Sequence, residues 1–199
     1  MLGPITKVFN SIVYRKFNRE LWDQITKLQD PSEEVRSKAA NSLENMAARE
    51  TMRAKVKNAV PALIKTLKDS SPKVRYEAAN ALRTIGSYAK DAIPALTESL
   101  KDKDEHVRAI TALALGYVEH PITSVPKLIP LLNDPSPGVR VLTIVALKEL
   151  QKFAKDAVPI LKTLALNDPD NQVKYWAEIA LGKIDPPQVD EVTLIIKSR

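Results

Sequence analysis

Five times in 199 residues an aspartate is followed, five and six positions later, by a valine and a basic residue. The five are Asp30-Val35-Arg36, Asp69-Val74-Arg75, Asp102-Val107-Arg108, Asp134-Val139-Arg140 and Asp168-Val173-Lys174. Successive valines stand 39, 33, 32 and 34 residues apart. A near-constant period of this length marks stacked units, each too small to cover its own apolar face. The chain must therefore build its core between neighbouring units.

Each unit reads as two helices. In VRYEAANALRTIG, Val74, Ala78, Ala81, Leu82 and Ile85 recur at helical spacing on one face. IPALTESLKD places Ile93, Leu96 and Leu100 on a face of the helix that precedes the aspartate. Between the two helices stand short turns over 30–34, 69–73, 102–106, 134–138 and 168–172, with DPSEE and DPSPG as examples. Their Asp, Ser and Pro residues stop one helix and cap the next. The near-duplicates YAKDAIPAL (88–96) and FAKDAVPIL (153–161) carry a proline inside an otherwise helical pattern. With Asp91 and Asp156 as expected N-caps, Pro94 and Pro159 fall in the first helical turn, where a missing N–H costs little. Trp22 fills the proline slot of the first unit. Small residues, Ala40, Ala79, Ala112 and, one position earlier, Ala177, stand close behind their valines, with Ile144 the exception. They would let neighbouring helices approach closely.

The helix-start proline, the aspartate, the Val-Arg pair and the closing AANALRTIG (78–86) and AEIALGKID (177–185) resemble the HEAT-repeat family. More particularly, they resemble the short bacterial HEAT-like repeats also found in phycobilin lyases. The resemblance covers about residues 21–184 and implies an all-α, armadillo-type α-solenoid of about five helix-turn-helix repeats with an N-terminal capping helix. The expected organisation is a capping helix over 1–20, a solenoid over 21–186 and a tail over 187–199. The resemblance also implies a structural ladder joining successive turns, formed by Asp30, Arg36, Asp69, Arg75, Asp102, Arg108, Asp134, Arg140, Asp168 and Lys174. Lys174 departs from the pattern, because an ammonium cannot make the two-pronged contact of a guanidinium.

Composition narrows the chemistry. There is no cysteine, which removes disulfides, thiolate nucleophiles and cysteine-based zinc sites, and points to a reducing, cytoplasmic setting. His106 and His120 are the only histidines, and no phosphate-binding glycine loop or nucleophile–base pair can be argued. No metal, cofactor or catalytic residue is expected. The formal charge of +6 is spread among interleaved acidic and basic residues, so a nucleic-acid track is disfavoured. No apolar run reaches membrane-spanning length, and no signal peptide is expected.

A binding surface is sought where the repeat does not dictate the residue. Taking each valine as origin, at about 100° per residue, positions +4, +7, +8 and +11 share the core side and +2, +6 and +9 point away. In the first two units the outward positions are polar: Ser37, Asn41, Glu44, and Tyr76, Asn80, Arg83. In the later three they turn apolar. With the flanking +3 residues, the candidate partner-binding set is Ile110, Leu113, Val141, Leu142, Val145, Tyr175, Trp176 and Ile179. The expected function is a non-catalytic scaffold that binds another protein on the concave face of the later repeats. A homodimer, or the tail QVDEVTLIIKSR folded back on the patch, are the alternative occupants. Through the resemblance, a phycobilin-lyase-like handling of a chromophore is the enzyme-like alternative. The stripe Ile5, Val8, Phe9, Ile12, Val13 and Phe17, beside Lys7, Arg15, Lys16 and Arg19, reads as a capping helix, with peripheral membrane contact the less favoured reading.

Overall fold

The structure, a computed structural model, describes the backbone over residues 4–186 and side chains over 15–186. The expected tail and most of the N-terminal stripe lie outside the described side chains. The elements are α1 (Pro4–Lys27), α2 (Glu33–Ala48), α3 (Glu50–Val56), α4 (Val60–Thr66), α5 (Pro72–Ile85), α6 (Ile93–Ser99), α7 (Glu105–Val118), α8 (Pro121–Leu128), α9 (Pro137–Leu150), α10 (Val158–Asn167) and α11 (Asn171–Ile184). Among the described residues there is no strand. The chain forms two compact units, 1–119 and 120–199.

In the first unit the helices pair as hairpins, α1 with α2, α4 with α5 and α6 with α7. The second helices α2, α5 and α7 lie side by side. The expected stripe Val74, Ala78, Ala81, Leu82 and Ile85 is fully buried, as are Leu43, Leu63, Leu96 and Leu115. Each such leucine contributes about 1.5–3 kcal/mol of hydrophobic stabilisation. Ala40, Ala79 and Ala112 have no exposed surface, so no larger side chain fits without displacing a neighbour. α1 runs unbroken across the boundary expected at residue 20, and its Phe17 is buried with the Lys55 ammonium 5.8 Å from the ring centre.

The second unit repeats the arrangement. α8 packs on α9, α10 on α11, and α9 lies against α11. Ile144, Leu147 and Leu161 fill its core.

Asp91 and Asp156 do not cap α6 and α10. Short 3-10 segments, Gly86–Ala92 and Gln151–Ala157, run straight into those helices. Their carbonyls meet the first amides: Ile93 N–H donates to Lys90 O and Val158 N–H to Lys155 O. Pro94 and Pro159 stand at the helix start, where the lost donor has no intrahelical acceptor. Side-chain caps are found instead at three of the second helices. Asp104 accepts from the His106 and Val107 amides, Asp170 from those of Gln172 and Val173, and Ser71 from Val74 N–H.

Candidate functional site

The turns hold the charged residues in a repeated geometry. Arg75 donates from Nε and Nη2 to the two carboxylate oxygens of Asp102, both at 2.7 Å, and from Nη1 to the Asp69 and Ser70 carbonyls. Arg36 grips Asp69 in the same way at 2.6 and 2.9 Å, and Arg140 grips Asp168 at 2.8 and 2.7 Å. Nη1 of Arg108 donates to the Asp102 and Lys103 carbonyls. Oδ1 of Asp30, Asp69, Asp102, Asp134 and Asp168 each accepts the amide two residues on. Burial pushes the Asp69, Asp102 and Asp168 carboxyls up, but the guanidinium and amide donors outweigh it and hold all three below the ordinary carboxylate range. Lys174 makes no side-chain hydrogen bond among the described residues, and its charge reaches Asp168 only through space. These aspartates and arginines are occupied by one another and by backbone. They hold the turns together.

The outward faces of the second helices differ from the sequence expectation in phase. Ile110 is 4 % exposed and Ala109 and Ser37 are buried too, so none of them offers surface to a partner. The reason is crowding. A second helix touches its own hairpin partner and an adjacent second helix, so its flanks are covered and only a narrow strip stays wet. That strip centres on +6 and +10, with Asn41 and Asn45 on α2, Tyr117 on α7, Glu149 on α9 and Lys183 on α11 all exposed. Position +10 lies about 280° from the valine, between +6 and +3, so helical geometry alone would have found Tyr117. Leu113 stays half-buried in the first unit.

In the second unit the candidate residues gather on two adjacent helices. α9 contributes the half-buried Val141, Leu142 and Val145, and α11 contributes Trp176 and Ile179, also half-buried. Tyr175 is 56 % exposed. Its ring meets Trp176 edge-on, with centroids 5.7 Å apart at 78°. Lys148 places its ammonium 5.4 Å from the Trp176 ring centre and 3.0 Å from Glu149 Oε1. The result is an apolar strip edged by aromatic rings and one cation.

His120 caps α8 by accepting the Ile122 amide at Nδ1, and its ring lies edge-on to Phe153. His106 is exposed. Among the described residues no group of histidine and carboxylate side chains is placed to hold a metal, and no helix is long and apolar enough to cross a membrane.

The comparisons agree with this architecture. No curated protein matches the sequence. Among solved structures, an engineered protein from a structural genomics consortium is 26% identical, with a TM-score of 0.64, over 83% of this chain and 79% of its own. The complex of CpcE and CpcF of phycocyanin lyase from Nostoc sp. PCC7120 contains a chain 26% identical, with a TM-score of 0.66; the match covers 81% of this chain and 64% of that one. A designed armadillo repeat protein in complex with the peptide (KR)4, 24% identical with a TM-score of 0.63, covers 81% of this chain and 80% of its own, and shows the fold alone. A family model for HEAT repeats matches residues 23–116 and again 99–182. With helical hairpins, inter-turn Arg–Asp pairs and a family match over most of its length, the chain belongs to the HEAT-repeat family.

Proposed function

We propose that the protein is a non-catalytic scaffold that holds a partner protein on the α9–α11 face. The observation that carries this reading is the apolar strip itself: Val141, Leu142, Val145 and Ile179 retain exposed surface beside the open ring of Tyr175. Contiguous apolar surface of this kind marks an interface, and tyrosine and tryptophan are the anchors such interfaces favour. The ladder aspartates and arginines are committed to one another and to backbone, which fits a binding role better than a catalytic one. One of the similar structures, that of CpcE and CpcF, is a complex with another chain, which supports a protein partner. The cysteine-free sequence fits a reducing compartment such as the cytoplasm.

A photo-crosslinking residue placed at Tyr175 in the native cell tests the reading. It should yield one dominant adduct, lost in Val145→Asp/Ile179→Asp while circular dichroism stays unchanged. An adduct that persists in the double variant removes the proposal. An adduct with a second copy of the chain makes the face a homodimer interface instead.

A second reading is favoured by one observation, the likeness to the phycocyanin-lyase chain. The Tyr175–Trp176 edge and apolar strip would accept a conjugated tetrapyrrole. A shift in visible absorbance on mixing with a bilin, abolished by Trp176→Ala, is the expected result. An unchanged spectrum discards this reading.

A further inference from the structure

A hollow of about 490 Å³ opens in the first unit, lined by Glu44, Arg53, Arg83, Thr84, Ser87 and Tyr117. Its donors and acceptors do not balance. Arg53 donates from Nε to the Ala47 carbonyl at 3.3 Å, and among the described residues no acceptor meets either of its terminal nitrogens. Arg83 donates from Nε to Asn80 Oδ1 at 2.9 Å, and its guanidinium carbon lies 5.9 Å from the centre of the Tyr117 ring. Its Nη2 is 4.0 Å from Glu44 Oε1, beyond hydrogen-bond reach, and that oxygen accepts from the Thr84 hydroxyl at 3.2 Å. Two half-buried guanidinium groups thus face one carboxylate, with a phenol 46 % exposed and the Ser87 hydroxyl at the rim.

We propose that this hollow is a carboxylate-binding site that takes an acidic side chain of an extended peptide ligand. The planar fork of a guanidinium matches a carboxylate in two parallel hydrogen bonds, and partial withdrawal from water strengthens each of them. Arg83 is held against Tyr117 and Asn80, so its terminal nitrogens are positioned before a ligand arrives. Tyr117 then walls the site with a ring face that an aliphatic side-chain stem can cover. Glu44 sets the charge balance: it offsets one of the two guanidinium charges, so a single carboxylate neutralises the hollow whereas a phosphate dianion would leave it net negative. The site lies in the other unit from the apolar strip and stands independently of it.

Fluorescence anisotropy of labelled hexaglutamate titrated with the full chain tests the proposal, with hexaglutamine and inorganic phosphate as companion probes. Hexaglutamate should bind and hexaglutamine should not, and phosphate should fail to displace the peptide. Arg53→Gln/Arg83→Gln should weaken binding about tenfold or more, the loss expected for charge-assisted hydrogen bonds. Lys57→Gln/Lys90→Gln removes the same formal charge from a different hollow of this unit, lined by Trp22, Pro61 and Tyr88, and should leave the affinity within about twofold. Glu44→Gln should tighten binding about threefold, a gain that no folding defect produces. Equal losses in the arginine and lysine pairs would show diffuse attraction to a basic chain and overturn the site. So would an unchanged affinity in Glu44→Gln, displacement by phosphate at the peptide's own affinity, or no hexaglutamate binding at low salt.

Discussion

The two units share one internal frame and present different faces. Slot +6 of the second helices holds Asn41 on α2 and Asn80 on α5 in the first unit, and Val145 and Ile179 in the second, with Leu113 on α7 between the two patterns. Beneath these residues the construction is the same. Arg36 grips Asp69, Arg75 grips Asp102 and Arg140 grips Asp168, each through Nε and Nη2. Alanine follows slot +6 in Ala81, Ala114, Ala146 and Ala180, all fully buried. The positions that face inward are therefore fixed by packing in both units, while those that face water vary freely. Whatever distinguishes this chain from other helical repeats is written in the second set.

Acid should break the frame of both units at once, and this is the largest effect expected. The Asp69, Asp102 and Asp168 carboxyls titrate below their unfolded value, which is about 3.9. The unfolded chain then binds more protons than the folded one, so stability rises with pH in this range. That contribution is complete above about pH 5 and is lost as pH falls through the depressed folded values. Denaturant midpoints measured from about pH 6 to about pH 2 should fall steeply below about pH 4. A flat profile would mean the carboxylates do not support the fold.

Removing one rung should cost less than acid but more than any surface change. Arg75→Ala leaves the largely covered Asp102 carboxylate, and Arg140→Ala the buried Asp168 carboxylate, without its cation, an effect of about 3–5 kcal/mol. Arg75 and Arg140 are comparably buried, so the two losses should agree within about 1 kcal/mol. A much smaller loss in one unit would show that its turns are held by something besides the rung.

A finer difference sits at the duplicated motif. Before YAKDAIP the chain turns through Gly86 with φ 63° and ψ −137°, and before FAKDAVP through Gln151 with φ 50° and ψ −128°. The backbone makes the same turn, but only the first unit has the residue without a Cβ. A non-glycine residue in this region carries about 1–3 kcal/mol of strain. Gln151→Gly should therefore stabilise the protein by about 1 kcal/mol, less than the strain released because the unfolded chain also gains freedom. Gly86→Ala should destabilise by about 1–3 kcal/mol, although a Cβ there would have room, its nearest neighbour being 3.9 Å away. Thermal melts of both variants decide the matter, and like-signed shifts would contradict it.

How much of this was legible in the sequence follows from which residues the period constrains. The second-helix stripe from Val74 to Ile85 could be read at once, because five apolar positions at helical spacing have one core-facing solution. The first-helix starts could not. Asp91 and Asp156 look like caps, but a 3-10 turn competes for the same amides, and its geometry leaves no distinct sequence mark. The outward face was half legible. Helical angles place +6 on the wet side, but they do not say how far adjacent helices cover the flanks, and Ile110 is lost to that covering. Arg53 was invisible, because α3 departs from the repeated pattern and only the fold brings it to Arg83 and Tyr117.

The smallest expected effect sharpens the comparison most. Exchanging the faces, with Asn41→Val/Asn80→Val in the first unit and Val145→Asn/Ile179→Asn in the second, touches residues that all keep contact with water. Neither exchange leaves a cavity, and the one part-buried bond lost, from Arg83 Nε to Asn80 Oδ1, belongs to a guanidinium that water still reaches, so each should change stability by no more than about 1 kcal/mol. The exchange should nevertheless move binding, because the apolar area available to a partner goes with the side chains and not with the frame. Capture at the α9–α11 face should fall in the second double variant and stay unchanged in the first. A large loss of stability in Val145→Asn/Ile179→Asn would show that these residues serve the core of the second unit, and its outward strip would then carry no more information than its inward one.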